Sequence, residues 1–239
     1  MSTILSDQWQ QIANSSWPLA ITILCFAISV KLYRRSGSRP WLHPLLVSTV
    51  LVAAAIYLLS VDFTRYFSGN GVLLWLLGPA TVALAVPLAT QLRQLLAVIY
   101  PALSMVLIGG LVATIAALVT ASWLGIDPSM VASIAAKSVT TPIAMGITQQ
   151  LGGILAVIVP VVLVTGLVGI VFADFIFAQF EVVDDRWQGL ILGICCHAIG
   201  TTKAFEKSPL CGSFATLGMG LNGLWTAFFL PLIAPFFLG

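Results

Sequence analysis

The chain has 239 residues, 59% hydrophobic and only 8% charged, with a formal net charge of +2 and a mean hydropathy of +1.07. That excludes an ordinary soluble domain, in which about 25% of residues are charged. It also excludes a nucleic-acid binder, because no basic run with interleaved aromatics accompanies the small positive balance. Apolar runs that suit helices of about 20 residues recur throughout, so an all-α integral membrane protein of about eight membrane segments is predicted, as a single membrane domain over 1–239.

Residues 1–16 are polar and carry no Lys or Arg, unlike a signal peptide, which opens with positive charge. They include Asn14-Ser15-Ser16, a short pattern for glycosylation. The first segment, 17–33, is followed by Lys31, Arg34, Arg35 and Arg39. Under the positive-inside rule that cluster is cytoplasmic, which puts the N-terminus outside. A second segment covers 44–59 and a third 72–90, interrupted at Gly78-Pro79 and Pro87, with Arg93 marking a cytoplasmic end. These make up the N-terminal helices, 17–94. The fourth, 95–124, carries Gly109-Gly110 for close helix approach. It is followed by the turn Gly125-Ile126-Asp127-Pro128-Ser129, where Asp127 or Ser129 can cap a helix.

Next comes the stretch around which the chain is organised. It sets Lys137-Ser138-Val139-Thr140-Thr141-Pro142 and the glycines Gly146, Gly152 and Gly153 between two long apolar runs. In hydrocarbon an interrupted helix is tolerated only where it is packed in protein or lines a polar cavity, so this stretch reads as one wall of a site. Ten residues of helix from Asp127 place Lys137 about 15 Å deep, near the middle of a hydrocarbon core of about 30 Å. A lysine there costs about 2.5 kcal/mol or more and is a functional candidate, unless it snorkels from a shallow re-entrant segment.

The segment 154–178 leads to an acidic exit, read as outer, with Glu181, Asp184 and Asp185. A second interrupted segment, 187–207, contains His197-Ala198-Ile199-Gly200-Thr201 and ends in Lys203 and Lys207, again a cytoplasmic signature. A shift of 60 (197 − 137) lays Lys137 on His197, Thr141 on Thr201 and Gly152 on Gly212, and Gly110 falls on Gly169 at a shift of 59. An internal repeat follows, with copy one at 95–153 and copy two, plus the final helix, at 154–239. Paired interruptions of this kind point to a transporter's site. Full crossings make the copies parallel and a re-entrant segment inverts one, which the spacing leaves open. The last segment, 212–237, holds Gly218-Met219-Gly220-Leu221-Asn222-Gly223, whose Asn222 either bonds a neighbouring helix or joins the site.

Four runs, Gly78 to Leu88, Lys137 to Met145, His197 to Thr201 and Gly218 to Gly223, keep their order along the chain. Together they resemble the LrgB/CidB family over nearly the whole length. The resemblance implies a bacterial inner-membrane protein described as antiholin-like or as an autolysis modulator, paired with a smaller LrgA/CidA-type membrane protein. The C-terminal half of the plastidial glycolate/glycerate transporter is similar to that family, which implies small 2-hydroxy or 2-oxo monocarboxylates as cargo. This sequence departs from the family pattern at Ala136, where Pro is usual, at Gly146, where Glu is usual, and at Thr202-Lys203, where Ala-Arg is usual.

The expected site is therefore an anion site at two broken helices. Freed N–H groups near Gly200, the Lys137 cation and the hydroxyls of Ser138, Thr140, Thr141 and Thr201 would hold a carboxylate, with Asn222 nearby and His197 the candidate for proton coupling. A secondary transporter of small monocarboxylates is the first reading. A holin/antiholin-like modulator of membrane permeability and murein hydrolase activity is the alternative. Expected partners are the carboxylate, the lipid bilayer, an LrgA/CidA-type protein and a second copy in a homodimer, with no nucleic acid. No cofactor and no metal are expected: Cys25, Cys195, Cys196 and Cys211 sit in or beside apolar segments without ligand spacing. An enzyme is not expected either, because Cys196 and His197 are adjacent on a helix, about 100° apart, with no supporting acid.

Overall fold

A computed structural model describes residues 16–83 and 85–238. The polar start, with its Asn14 pattern, lies outside the described residues. The chain divides into two compact units, Met1–Ala85 and Val86–Gly239.

In the first unit, α1 (Ser16–Arg35) leads through a short 3-10 turn (Pro40–Leu42) to α2 (Pro44–Leu58), α3 (Phe63–Gly69) and α4 (Gly71–Ala83). α1 ends on Arg34 and Arg35, cations that suit the negative end of a helix dipole. Thr22 Oγ1 on α1 lies 2.5 Å from Tyr66 Oη and 2.9 Å from Asn70 Oδ1, tying α1 to α3 through polar groups. Gly78-Pro79 does not end the third segment: α4 continues past Pro79. Within membrane-type helices, neighbouring groups and local adjustments absorb the lost proline hydrogen bond.

The short helices α5 (Ala85–Thr90) and α6 (Leu92–Ala97) precede α7 (Ile99–Trp123). Then follow α8 (Pro128–Ile134), α9 (Thr141–Gln150), α10 (Leu155–Gln179), α11 (Asp185–Lys207), α12 (Pro209–Ile233) and α13 (Pro235–Leu238). Among the described residues, four helices are long and apolar enough to cross a bilayer: α1 over Trp17–Arg35, α7, α10 and α12. The protein is thus an all-helical, multi-pass membrane protein. Of the other segments expected to cross, α2 has 15 residues, about 22 Å of helix, and two reverse direction.

The first reversal is α8 to α9. Asp127 caps α8, its Oδ1 accepting from the Ser129 N–H at 2.9 Å. Residues 135–140 break the helix, and α9 brings the chain back until the Ile154 N–H donates to Ser133 Oγ at 2.6 Å. Gly153 is needed for this return, because a Cβ there would stand 2.8 Å from the Ser133 nitrogen.

The second reversal is inside α11. His197 adopts φ 45° and ψ −129°, outside any helix and in the region that favours glycine. Asp185 and Lys207 are 22 positions apart (207 − 185), about 33 Å along a straight helix. Yet Lys207 Nζ lies 2.8 Å from Asp185 Oδ1, and Ser208 Oγ donates to Asp185 Oδ2 at 2.5 Å. A Cβ on Gly200 would overlap the Leu192 carbonyl, so the two arms of α11 lie back to back. The expected outer, acidic exit at 181–186 therefore shares one mouth with the basic end at Lys207, because α11 re-enters instead of crossing.

α10 starts where the first hairpin ends and finishes six residues before Asp185. Its 25 residues, about 37 Å, separate the two mouths, so the hairpins open toward opposite ends of α10.

Candidate functional site

Small residues let the second hairpin approach α12 and α10 at backbone distance. Cβ atoms on Gly189 and Gly193 would overlap the Cys211 and Ala215 carbonyls of α12, and one on Gly169 would overlap the Cys196 sulfur. Helices without a hydrophobic driving force between them associate through such packing. The partners of Gly189 and Gly193 advance together along both helices, so the first arm of α11 runs parallel to α12.

Asn222, in the middle of α12 and 1% exposed, joins the two hairpin tips. Its Nδ2 donates to the Ser138 carbonyl at 2.8 Å and to the Ile194 carbonyl at 3.2 Å. Both partners are acceptors, which fixes the orientation of the amide. Its Oδ1 is sealed from solvent against Gly110 and has no partner among the described residues. A Cβ on Gly110 would stand 3.0 Å from that oxygen and 3.1 Å from the Trp225 ring.

Between the tips and helices α7, α10 and α12 lies a cavity of about 410 Å³. Lys137, Ser138 and Asn222 line it together, with Cys195 from the second hairpin. Lys137 is half-buried, and its Nζ donates to Ser138 Oγ at 3.1 Å. Among the described residues it has no carboxylate partner. A lone cation beside an exposed tip is what a small anion requires.

The other expected site residues stand elsewhere. Thr140 and Thr141 are half-buried at the start of α9 and do not line this cavity. His197 is buried at the hairpin turn, where its Nε2–H donates to the Val162 carbonyl at 3.1 Å. Thr201 Oγ1 donates to the His197 carbonyl at 2.9 Å, and Gly200 packs on Leu192. These three hold the reversal together. Lys203 and Glu206, three residues apart on one helix face, pair at 3.5 Å.

Three threonines were missed: Thr114 on α7, Thr165 on α10 and Thr226 on α12 all line the cavity. A readable signal existed. Thr114 follows Gly110, and Thr226 follows Asn222, by four residues, which places each on the same helix face as a residue already singled out.

At the mouth of the second hairpin, outside the spans, Arg186 hydrogen-bonds Asp184 and holds its carboxyl below the usual range. Lys207, with Ser208, does the same for Asp185.

The family model described as the LrgB-like family matches residues 22–236. The chain belongs to the LrgB-like family. An uncharacterized protein of Bacillus subtilis, YxaC, is 35% identical over 219 residues, covering 92% of this chain and 95% of that protein. An uncharacterized protein of Haemophilus influenzae is 35% identical over 214 residues, covering 89% and 92%. A Bacillus cereus protein named antiholin-like protein LrgB is 25% identical over 218 residues, covering 91% and 95%. No solved structure matches the chain.

Proposed function

We propose that this LrgB-like protein is a secondary carrier of small monocarboxylates, with the cavity between the hairpin tips as its anion site. The observation that carries the reading is Lys137, an ammonium without an acid partner among the described residues, on a cavity wall in an apolar protein. A cation in that position is costly unless an anion, or water around it, compensates it. A cavity of about 410 Å³ suits a three-carbon acid and some water. Hairpins that open in opposite directions and meet at Asn222 fit an inverted repeat of the kind that gives alternating access. The basic residues Arg186, Lys203 and Lys207 lie on the arms of the second hairpin toward its mouth, so that mouth would be cytoplasmic and the first would face outward.

The printed name of the Bacillus cereus relative favours a second reading, an antiholin-like modulator of membrane permeability. An LrgA/CidA-type partner belongs with that reading. One experiment separates the two: purified protein in liposomes, loaded with unlabelled lactate and offered labelled lactate, with an entrapped dye as a second readout. A carrier gives saturable counterflow without dye loss, and Lys137→Met abolishes the counterflow while still inserting. Unselective loss of dye supports the permeability reading, and normal counterflow in Lys137→Met removes the lysine from the site.

A further inference from the structure

Three threonines on the helices around the cavity turn their hydroxyls back to their own helix. Thr201, Thr202 and Thr216 each donate to the carbonyl four residues earlier, at 2.9, 3.0 and 2.9 Å. This is the ordinary fate of a hydroxyl in a membrane helix, where no water is at hand to satisfy it. Thr114, Thr165 and Thr226 differ. Among the described residues none of the three has a hydrogen-bond partner, and all three line the cavity that holds Lys137. Thr114 and Thr226 are only 6% and 4% exposed, so bulk solvent does not serve them.

Their placement follows from the register of α7 and α12. Gly110 of α7 meets Asn222 and Trp225 of α12. Two turns further on, Leu118 and Leu230 are both fully buried in one apolar core. Thr114 and Thr226 occupy the turn between, where apolar side chains would have continued the packing. Beside them, the side-chain oxygen of Asn222 is buried and lacks a partner among the described residues. The three threonine hydroxyls thus stand open to the cavity with no protein partner among the described residues, and an unpaired hydroxyl facing a cavity points to a polar occupant beside it.

We infer that Thr114, Thr165 and Thr226 form the specificity wall of the anion site, recognising an oxygen substituent next to the carboxylate that Lys137 binds. This rests on the carrier reading given above. The cargo then has two polar ends: a carboxylate toward the ammonium, and a hydroxyl toward the threonines. An unsubstituted short fatty acid would satisfy Lys137 and leave the hydroxyls unpaired. A site built to bond a hydroxyl discriminates against the analogue that lacks it, because its own polar groups are then left stranded.

The test uses lactate and propionate, which differ only in the 2-hydroxyl, in liposome counterflow with the full-length protein. The wild type should take lactate with a KM roughly tenfold or more below that for propionate. Thr114→Val and Thr226→Val, close to threonine in shape, should each raise the lactate KM about fivefold or more and leave propionate unchanged or improved. Thr226→Ser, which keeps the hydroxyl, should restore the lactate preference, and this guards against a variant that merely folds poorly. Equal KM values for the two acids in the wild type, or valine variants that weaken both acids alike, would overturn the specificity wall while leaving the carrier intact. A wild type that exchanges neither acid would overturn both readings.

Discussion

At the scale of single residues, glycine decides how closely the helices approach. Gly193 stands against the Ala215 carbonyl, backbone to backbone, and nothing flexible there can yield to a Cβ. Gly220, on the same helix as Ala215, has open space at its Cβ position. Gly193→Ala should therefore lower stability by about 1–3 kcal/mol, the usual cost of overpacking, whereas Gly220→Ala should be nearly neutral. Thermal melts of the detergent-solubilised protein check the pair, and equal melting points would show that the helices are free to separate. Lys137, Ser138 and Asn222, which line one cavity, were legible as candidates because a charge or amide inside apolar sequence has few innocent explanations. Thr114 and Thr226 were legible only through their four-residue spacing from Gly110 and Asn222, and Thr165 not at all, because a threonine in a membrane helix usually bonds its own backbone.

Whole elements show why interruptions matter. The first hairpin is broken where Ala135 to Thr140 leave the helix, next to Pro142 in the first turn of α9, since proline has no N–H to bond the carbonyl four residues earlier and so starts a helix instead of continuing one. The second is broken at His197, which no composition rule marks. Its φ of 45° carries strain of about 1–3 kcal/mol for a residue with a side chain, and the bond to the Val162 carbonyl helps to hold it there. The arms of this hairpin are clasped at their mouth by Lys207, Ser208 and Asp185. The Asp184 and Asp185 carboxyls are held below their ordinary value of 3.8, so their stabilising effect is complete above that pH and is lost as pH falls through the lowered values. Amide hydrogen exchange near residues 185–190 and 203–208 should accordingly speed up below about pH 4. Asp185→Asn, already unclasped at pH 7, should show a smaller change, and an equal pH response in that variant would rule the clasp out. Both groups are close to solvent, so salt should weaken the effect.

For the whole molecule, the testable property is sidedness. If the two hairpins enter from opposite faces, a single cysteine at Ser129 and one at Glu206, each in a background with Cys25, Cys195, Cys196 and Cys211 replaced, should react with an impermeant maleimide from opposite sides of intact cells and inverted vesicles. Labelling of both from the same side would rule out the inverted arrangement. Hydropathy did not settle this, because a hairpin that re-enters and a helix that crosses can have the same length and similar composition. The contact between Asp185 and Lys207 decides it for α11, and the bond between Ile154 and Ser133 for α8 and α9.

The sequence by itself determined the solvent: so few charges and such long apolar runs leave hydrocarbon as the only medium that suits most of this surface, and there a broken helix must enclose something polar. It also located the first break, where proline and clustered hydroxyls act locally, and placed the second within 187–207 without marking His197 as the turning residue. Which side chains meet was decided by tertiary structure alone, because Asn222, Lys137 and Ile194 come together through two reversals of the chain, and a reversal is a long-range event that local propensity does not encode.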